Sequence, residues 1–386
     1  MSKTRPFQFF FAALALAFVL ASSVYVAGSL AWYAKLRIQE KISPKSIKNG
    51  FVRHPFLTGD QIPNQSLLET VTKNGKTFTY GWKLNGQACR DDVDYTERKS
   101  PRVIRWLCLG GSSLVSGTSN SNTIPCQLEE LVNAGSGGKK VEIYNFGRVG
   151  WDSTQEMLAF ATVFRNYRPD YLLVYDGRND AFEAVLPRYR PFWNAWSFEI
   201  DREFNHRSYL KEIFLPVWRL KEKWLALRHP ESYYEQEAHV LFQEKQVIEL
   251  NFYQAHPQIG PVYTGNLENI LGLAHEMGCK GAILALSPQL YWCGKPLAPE
   301  EASFDAQRIQ PSWRHAMKEI FPVIQKAHHQ AALSKVMPLV EVDLNPAFAN
   351  RADWLFMDDC HLTDAGGHAA AELLLPSVRR TMGQNP

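Results

Sequence analysis

Residues Val103 to Gly117 read VIRWLCLGGSSLVSG. The first seven are rich in branched and aromatic side chains, as a buried strand requires. Gly110 and Gly111 then break the run, because two glycines let the backbone turn sharply and let another group approach it closely. Ser112 and Ser113 follow at once, and a helical pattern starts near Thr123 in TIPCQLEELVNA. In an open α/β sheet, ligands gather beyond the carboxyl ends of the strands. A serine on a tight turn at such a place is positioned as a nucleophile, although a glycine turn with a capping serine reads the same way in isolation.

From residue 101 onward, strand and helix patterns alternate, which predicts βαβ units and a mostly parallel sheet. Strands are expected at 103–109, 141–147, 171–177, 281–287 and 339–344. A helix is expected from Ser153, with Ser153 and Glu156 as a capping box and Pro169 as its stop. Further helices are expected at 264–278 and 304–336, and one opening at Thr363. Residues 35–100 read as a polar connector that packs short strands, such as 77–84, on the body. The stretch 181–262 is too long for a simple crossover. It carries four tryptophans, Trp193, Trp196, Trp218 and Trp224, which either build a small core of its own or cap a site.

Charge and composition narrow the function. The net charge of +3 conceals an asymmetry. Seven of the basic residues and a single acid, Glu40, lie in 1–50, so the remainder is slightly acidic. No basic face is implied, and nucleic acid is not expected as a partner. Residues 7–34 contain no charged side chain, long enough at 1.5 Å per residue to cross a hydrocarbon core of roughly 30 Å. Trp32 and Tyr33 stand where an interfacial aromatic belt would be. An uncleaved anchor is favoured over a signal peptide cut near Ala31, because the apolar run exceeds the usual 7–15 residues of a signal peptide. Lys and Arg are denser after the span than before it. Even so, a short tail that stays inside with an exported domain is the favoured orientation. The six cysteines form no CxxC pair, which argues against a zinc site of ordinary spacing, and neither metal nor cofactor is expected.

Four short motifs end predicted strands or precede the last helix: Gly110-Gly111-Ser112, Asn145-Phe146-Gly147, Gly177-Arg178-Asn179-Asp180, and Asp358-Asp359-Cys360-His361. All should meet on one edge of the sheet. Ser112 needs a base to take its proton. His361 suits that role with a free pKa near 6.5, and Asp358 can hold its other ring nitrogen. Oxyanion donors are expected from the backbone N–H groups of Ser112 and Gly147 and from the Asn179 amide. Asp180 is expected to anchor the Asn179 loop. Arg178, Trp193 and Trp196 are weaker candidates for substrate contact. Asp359 and Cys360 read as loop residues, and His328 and His329 as surface residues.

These blocks, with TIPCQLEEL, NFGRVGWDSTQEM, YRPDYLLVYDGRNDA and DDCHLTDAGGHAAAELL around them, resemble the SGNH (GDSL-like) hydrolases over about residues 101–180 and 262–380. The resemblance implies a flavodoxin-like three-layer α/β/α sandwich with a parallel sheet and hydrolysis or transfer of ester-linked acyl groups. The family often has a glycine four residues after the serine, where this chain has Ser116 followed by Gly117. The G-x-S-x-G elbow of the α/β-hydrolases is absent. The whole is expected to comprise an anchor (1–34), a connector (35–100) and a hydrolase-like domain (101–386) with the insertion. Its substrate is expected to be an acylated carbohydrate or lipid. An esterase, an O-acyltransferase and a non-catalytic binding module on the same fold all stand as readings, the complete triad weighing against the last.

Overall fold

A computed structural model describes residues 51–54, 57–73, 76–134, 139–184, 257–306 and 310–384, with Leu16, Leu20, 22–25, Ala27 and Gly28. Two antiparallel hairpins come first, β1 (Phe51–His54) with β2 (Thr58–Gln61), and β3 (Ser66–Lys73) with β4 (Lys76–Lys83). The main sheet holds β5 (Val103–Gly110), β6 (Lys140–Asn145), β7 (Tyr171–Asp176), β8 (Gly281–Leu286) and β9 (Leu339–Asp343). Its order is β6-β5-β7-β8-β9, and every pair is parallel. The side chains of β7 and β8 are buried along their whole length. A strand covered on both faces reads as a continuous apolar run, not an alternating one, which is why YLLVYD and GAILAL are recognisable as strands.

The helices are α1 (Ile124–Ala134), α2 (Ser153–Thr162), α3 (Arg178–Glu183), α4 (Ile259–Glu276), α5 (Pro299–Asp305), α6 (Gln310–Ala332), α7 (Asn345–Phe348) and α8 (Asp364–Thr381). From β5 the chain crosses one way to β6, then back over β5 to β7 and onward to β8 and β9. Parallel crossovers are right-handed, so the reversal puts α1 on one face and α2, α4 and α6 on the other. The contacts agree: α4 packs on α2 and α6, and α8 packs on α1. The layers are therefore helix, sheet, helix. The direction of crossing reverses between β5 and β7, which opens a crevice at their carboxyl ends.

Several element boundaries differ from those the sequence predicts. Asp152, not Ser153, caps α2: its carboxylate accepts from Thr154 N (2.8 Å) and Gln155 N (3.4 Å), and Gln155 Oε1 accepts from Asp152 N (3.0 Å). The capping box is shifted by one residue because Ser153 Oγ is engaged with Asp180 instead. The helix ends at Thr162, well before Pro169, through a 3-10 turn at 164–167. α4 begins at Ile259, earlier than expected, and 304–336 is two helices, not one. His328 is buried, which corrects its reading as a surface residue. Its Nδ1 lies 3.3 Å from Glu341 Oε1, while exposed His329 Nδ1 lies 2.8 Å from Oε2 of the same carboxylate.

The segment before β5 is built into the body. Gly81 N donates to Thr118 O (2.8 Å), just beyond the serine turn. The buried Arg90 guanidinium donates to Val115 O and, at 2.7 Å, to Gly117 O. Arg148, next to Gly147, is buried between Asp60 (2.9 Å) and Gln87 O (2.7 Å). Among the described residues no helix is long and apolar enough to cross a membrane. Most of 7–34 lies outside those residues, as do Trp193, Trp196 and all of the insertion between 184 and 257. The six cysteines are unpaired as disulfides.

Candidate active site

β5 ends at Gly110, and the chain turns through Gly111 to Ser112. A Cβ on Gly110 would stand 2.5 Å from Tyr175 O, and one on Gly111 would stand 2.5 Å from Asn179 Nδ2 and 3.0 Å from Trp151 O. No side chain fits at either place, so glycine is what lets the serine turn lie against β7 and the Asn179 loop. Ser116 Oγ, at the family's glycine position, donates to Ser112 O (3.1 Å) and tightens the turn.

His361 Nε2 lies 2.8 Å from Ser112 Oγ, and His361 Nδ1 lies 2.7 Å from Asp358 Oδ2. The other carboxylate oxygen of Asp358 accepts from the N–H groups of Cys360 (3.0 Å) and His361 (2.8 Å). The aspartate thus fixes the loop and the imidazole together. Burial would raise the Asp358 pKa, but His361 and these N–H donors hold it well below the usual carboxylate range. Burial would lower that of His361, but the Asp358 carboxylate pushes it well above the ordinary histidine value. The tautomer with hydrogen on Nδ1 leaves Nε2 free to accept from the serine hydroxyl.

The three expected oxyanion donors are placed differently. The Ser112 N–H has no hydrogen-bond partner among the described residues. Asn179 Nδ2 donates to Trp151 O (2.5 Å), which holds its amide beside Gly111 with a second hydrogen to offer. The Gly147 N–H donates to Asn145 Oδ1 (3.1 Å), so it can serve an oxyanion only if that side chain releases it.

Asp180 Oδ1 accepts from Ser153 Oγ (2.5 Å) and Oδ2 from Ser153 N (3.2 Å), which ties the Asn179 loop to the start of α2. Arg178 faces the base loop: its Nε and Nη2 lie 2.9 and 2.8 Å from Asp359 Oδ2. That pairing ties Asp359 to α3 and turns the Arg178 guanidinium toward the base loop. Asp358, Cys360 and His361 offer donor atoms within 4.8 Å of one another. However, Nδ1 of His361 is held by Asp358, and burial raises the Cys360 thiol pKa. In this arrangement the three form a hydrogen-bonded chain.

Sequence reasoning missed Glu301. Its buried carboxylate accepts from Leu355 N (3.1 Å), Phe356 N (3.0 Å) and Ala298 N (2.8 Å) and pairs with buried Lys295 (2.5 Å). It pins the start of the segment leading to Asp358. With the helix expected to open at 304, Glu301 lies outside every predicted element, and nothing in the local sequence points to Leu355. A second missed feature is the set of buried acids behind the Asn179 loop: Asp152, Glu156, Asp176 and Asp180.

No protein-family description matches this sequence, and no curated protein matches it. Solved structures do align with it. One is a lipase/acylhydrolase from Enterococcus faecalis, 14% identical over 72% of this chain and 96% of that one, with a TM-score of 0.36. Another is Axe2, an acetylxylan esterase from Geobacillus stearothermophilus, 13% identical over 72% and 94%, with a TM-score of 0.37. A third is a putative lipolytic protein of the G-D-S-L family from Desulfitobacterium hafniense DCB-2, 11% identical over 70% and 99%, with a TM-score of 0.34.

Proposed function

We propose that this chain is a serine esterase of the SGNH type that hydrolyses ester-linked acyl groups on a carbohydrate or lipid, held at a membrane by residues 7–34 with its catalytic domain outside the cytoplasm. The observation that carries the reading is the chain Ser112 Oγ, His361, Asp358, closed at 2.8 and 2.7 Å beside a Ser112 N–H that has no partner among the described residues. His361 Nε2 takes the serine proton as Oγ adds to the ester carbonyl. The resulting oxyanion is held by Ser112 N–H and the Asn179 amide. Collapse expels the alcohol, which receives the proton from His361 and leaves an acyl-serine. Water, deprotonated by His361, then attacks the acyl-serine, and collapse breaks the Ser112 Oγ–acyl bond, returns that proton from His361 to Oγ and releases the acid. A binding module has no use for this proton path.

Fluorophosphonate labelling tests the assignment. Ser112→Ala should abolish labelling of the full chain, whereas Ser113→Ala should leave it. Labelling that persists in Ser112→Ala would place the nucleophile elsewhere.

A further inference from the structure

The segment that carries the base is a narrow loop. Phe356 and Leu362 form an antiparallel bridge, Met357 N donates to His361 O (2.8 Å), and Thr363 N donates to Leu355 O (2.8 Å). Glu301 fixes the foot of this loop through Leu355 N and Phe356 N. At the tip, the Asp358 carboxylate accepts from Cys360 N and His361 N. Those bonds set the shape of the tip but not its position over Ser112. Position needs contacts from outside the loop. Leu290 N provides one, to Asp359 O (2.9 Å). The charged one is Arg178, whose Nε and Nη2 both reach Asp359 Oδ2, with both side chains mostly buried.

Arg178 follows Gly177, which turns the chain at φ +107°, and its guanidinium also lies 5.1 Å above the Phe182 ring one helical turn on. Asn179, the next residue, reaches the other way, to Trp151 O beside Gly111. Two consecutive side chains of α3 therefore reach two parts of the site, Arg178 the base loop and Asn179 the Trp151 loop beside Gly111.

We propose that Arg178 is a positioning residue: its ion pair with Asp359 holds the loop tip so that His361 meets Ser112. The proposal rests on the reading of Ser112 and His361 as the reacting pair. Misplacement by about 1 Å can cost on the order of 10²-fold in rate. The pair also balances charge near the imidazole. His361 feels Asp358 and Cys360 on its own loop and meets Ser112 from the β5 turn. Asp359, and Arg178 from α3, act on the same Cys360 thiol, and Tyr291 beyond β8 lies near Asp359. Removing Arg178 takes a positive charge from this group and favours the imidazolium. Removing the Asp359 charge takes a negative one and disfavours it.

The test is steady-state hydrolysis of p-nitrophenyl acetate by the full chain, with active sites counted by fluorophosphonate titration. Arg178→Gln and Asp359→Asn should each lower kcat per active site by about 10- to 100-fold with little change in KM. The acidic limb of the pH profile should move up in Arg178→Gln and down in Asp359→Asn. Arg178→Lys, which keeps the charge but not the two-nitrogen contact, should recover part of kcat and leave the limb in place. It carries the test if Arg178→Gln does not fold. Unchanged kcat, or limbs that stay put or move the same way, would overturn the clamp. A parent chain unreactive at Ser112 would overturn the reading beneath it as well, so the two failures are told apart.

Discussion

At His361 burial and the Asp358 carboxylate pull in opposite directions, and the carboxylate prevails. The sign for activity follows directly. The base must be neutral to accept the serine proton, and a raised pKa keeps it protonated to higher pH. The acidic limb of kcat/KM should therefore lie above the free-histidine value of about 6.5, a higher position than an unperturbed histidine would give. A pH profile with its limb at or below 6.5 would contradict the hydrogen-bonded pair. Asn179 is the second residue-scale case. With the Ser112 N–H it is the donor best placed for an oxyanion, since the Gly147 N–H is held by Asn145. Asn179→Ala should lower kcat by about 10²–10³ in a protein that still melts cooperatively. An unchanged kcat would remove Asn179 from the site.

At the scale of elements, the start of α2, the end of β7 and the start of α3 converge on four buried acids. Asp180 ties α3 to α2 through Ser153, Asp152 caps α2, and both carboxylate oxygens of Glu156 lack a hydrogen-bond partner among the described residues. Burial, then mutual repulsion, raises Asp152 to about 7. Burial dominates at Asp176 too, which also rises to about 7, and it raises Glu156 and Asp180 well above the usual carboxylate range. Below about pH 4 the folded and unfolded states are both protonated. As pH rises from about 4 to 7 the unfolded acids ionise and the folded ones resist, so stability is lost across that window. Asp176→Asn removes one such penalty. Urea unfolding should find it more stable than the parent at pH 8, by on the order of a few kcal/mol, with the gap closing toward pH 4. A difference independent of pH would show that Asp176 does not carry a raised pKa.

At the scale of the molecule, the sheet order sets which loops meet. β5 and β7 are neighbours at the crossing reversal, so the serine turn and the Asn179 loop lie side by side. The base loop arrives from beyond β9 and is brought in by α5, α3 and the turn after β8, through Glu301, Arg178 and Leu290. The proposed anchor belongs to this scale as well. The full chain should stay with membranes through an alkaline carbonate wash, and removal of 1–34 should release a soluble body. Full-length chain found in the wash would remove the anchor.

Sequence by itself determined the elements whose environment is uniform. VIRWLCLG, YLLVYD and GAILAL are covered on both faces, so their apolar runs announce buried strands, and Gly110-Gly111 announces a close approach. It also brought Ser112, Asn179, Asp358 and His361 forward, because each stands within a few residues of a strand end or of the last helix. What depends on distant partners was decided only by the tertiary structure. His328 is buried because α6 packs it on Tyr263 of α4, and Asp152 takes the cap because Asp180 claims Ser153. Arg178 turns to Asp359 across 181 residues of chain, and Glu301 reaches Leu355 across 54. No local pattern marks such pairs, since a buried charge is stable only where its partner is brought to it by the fold.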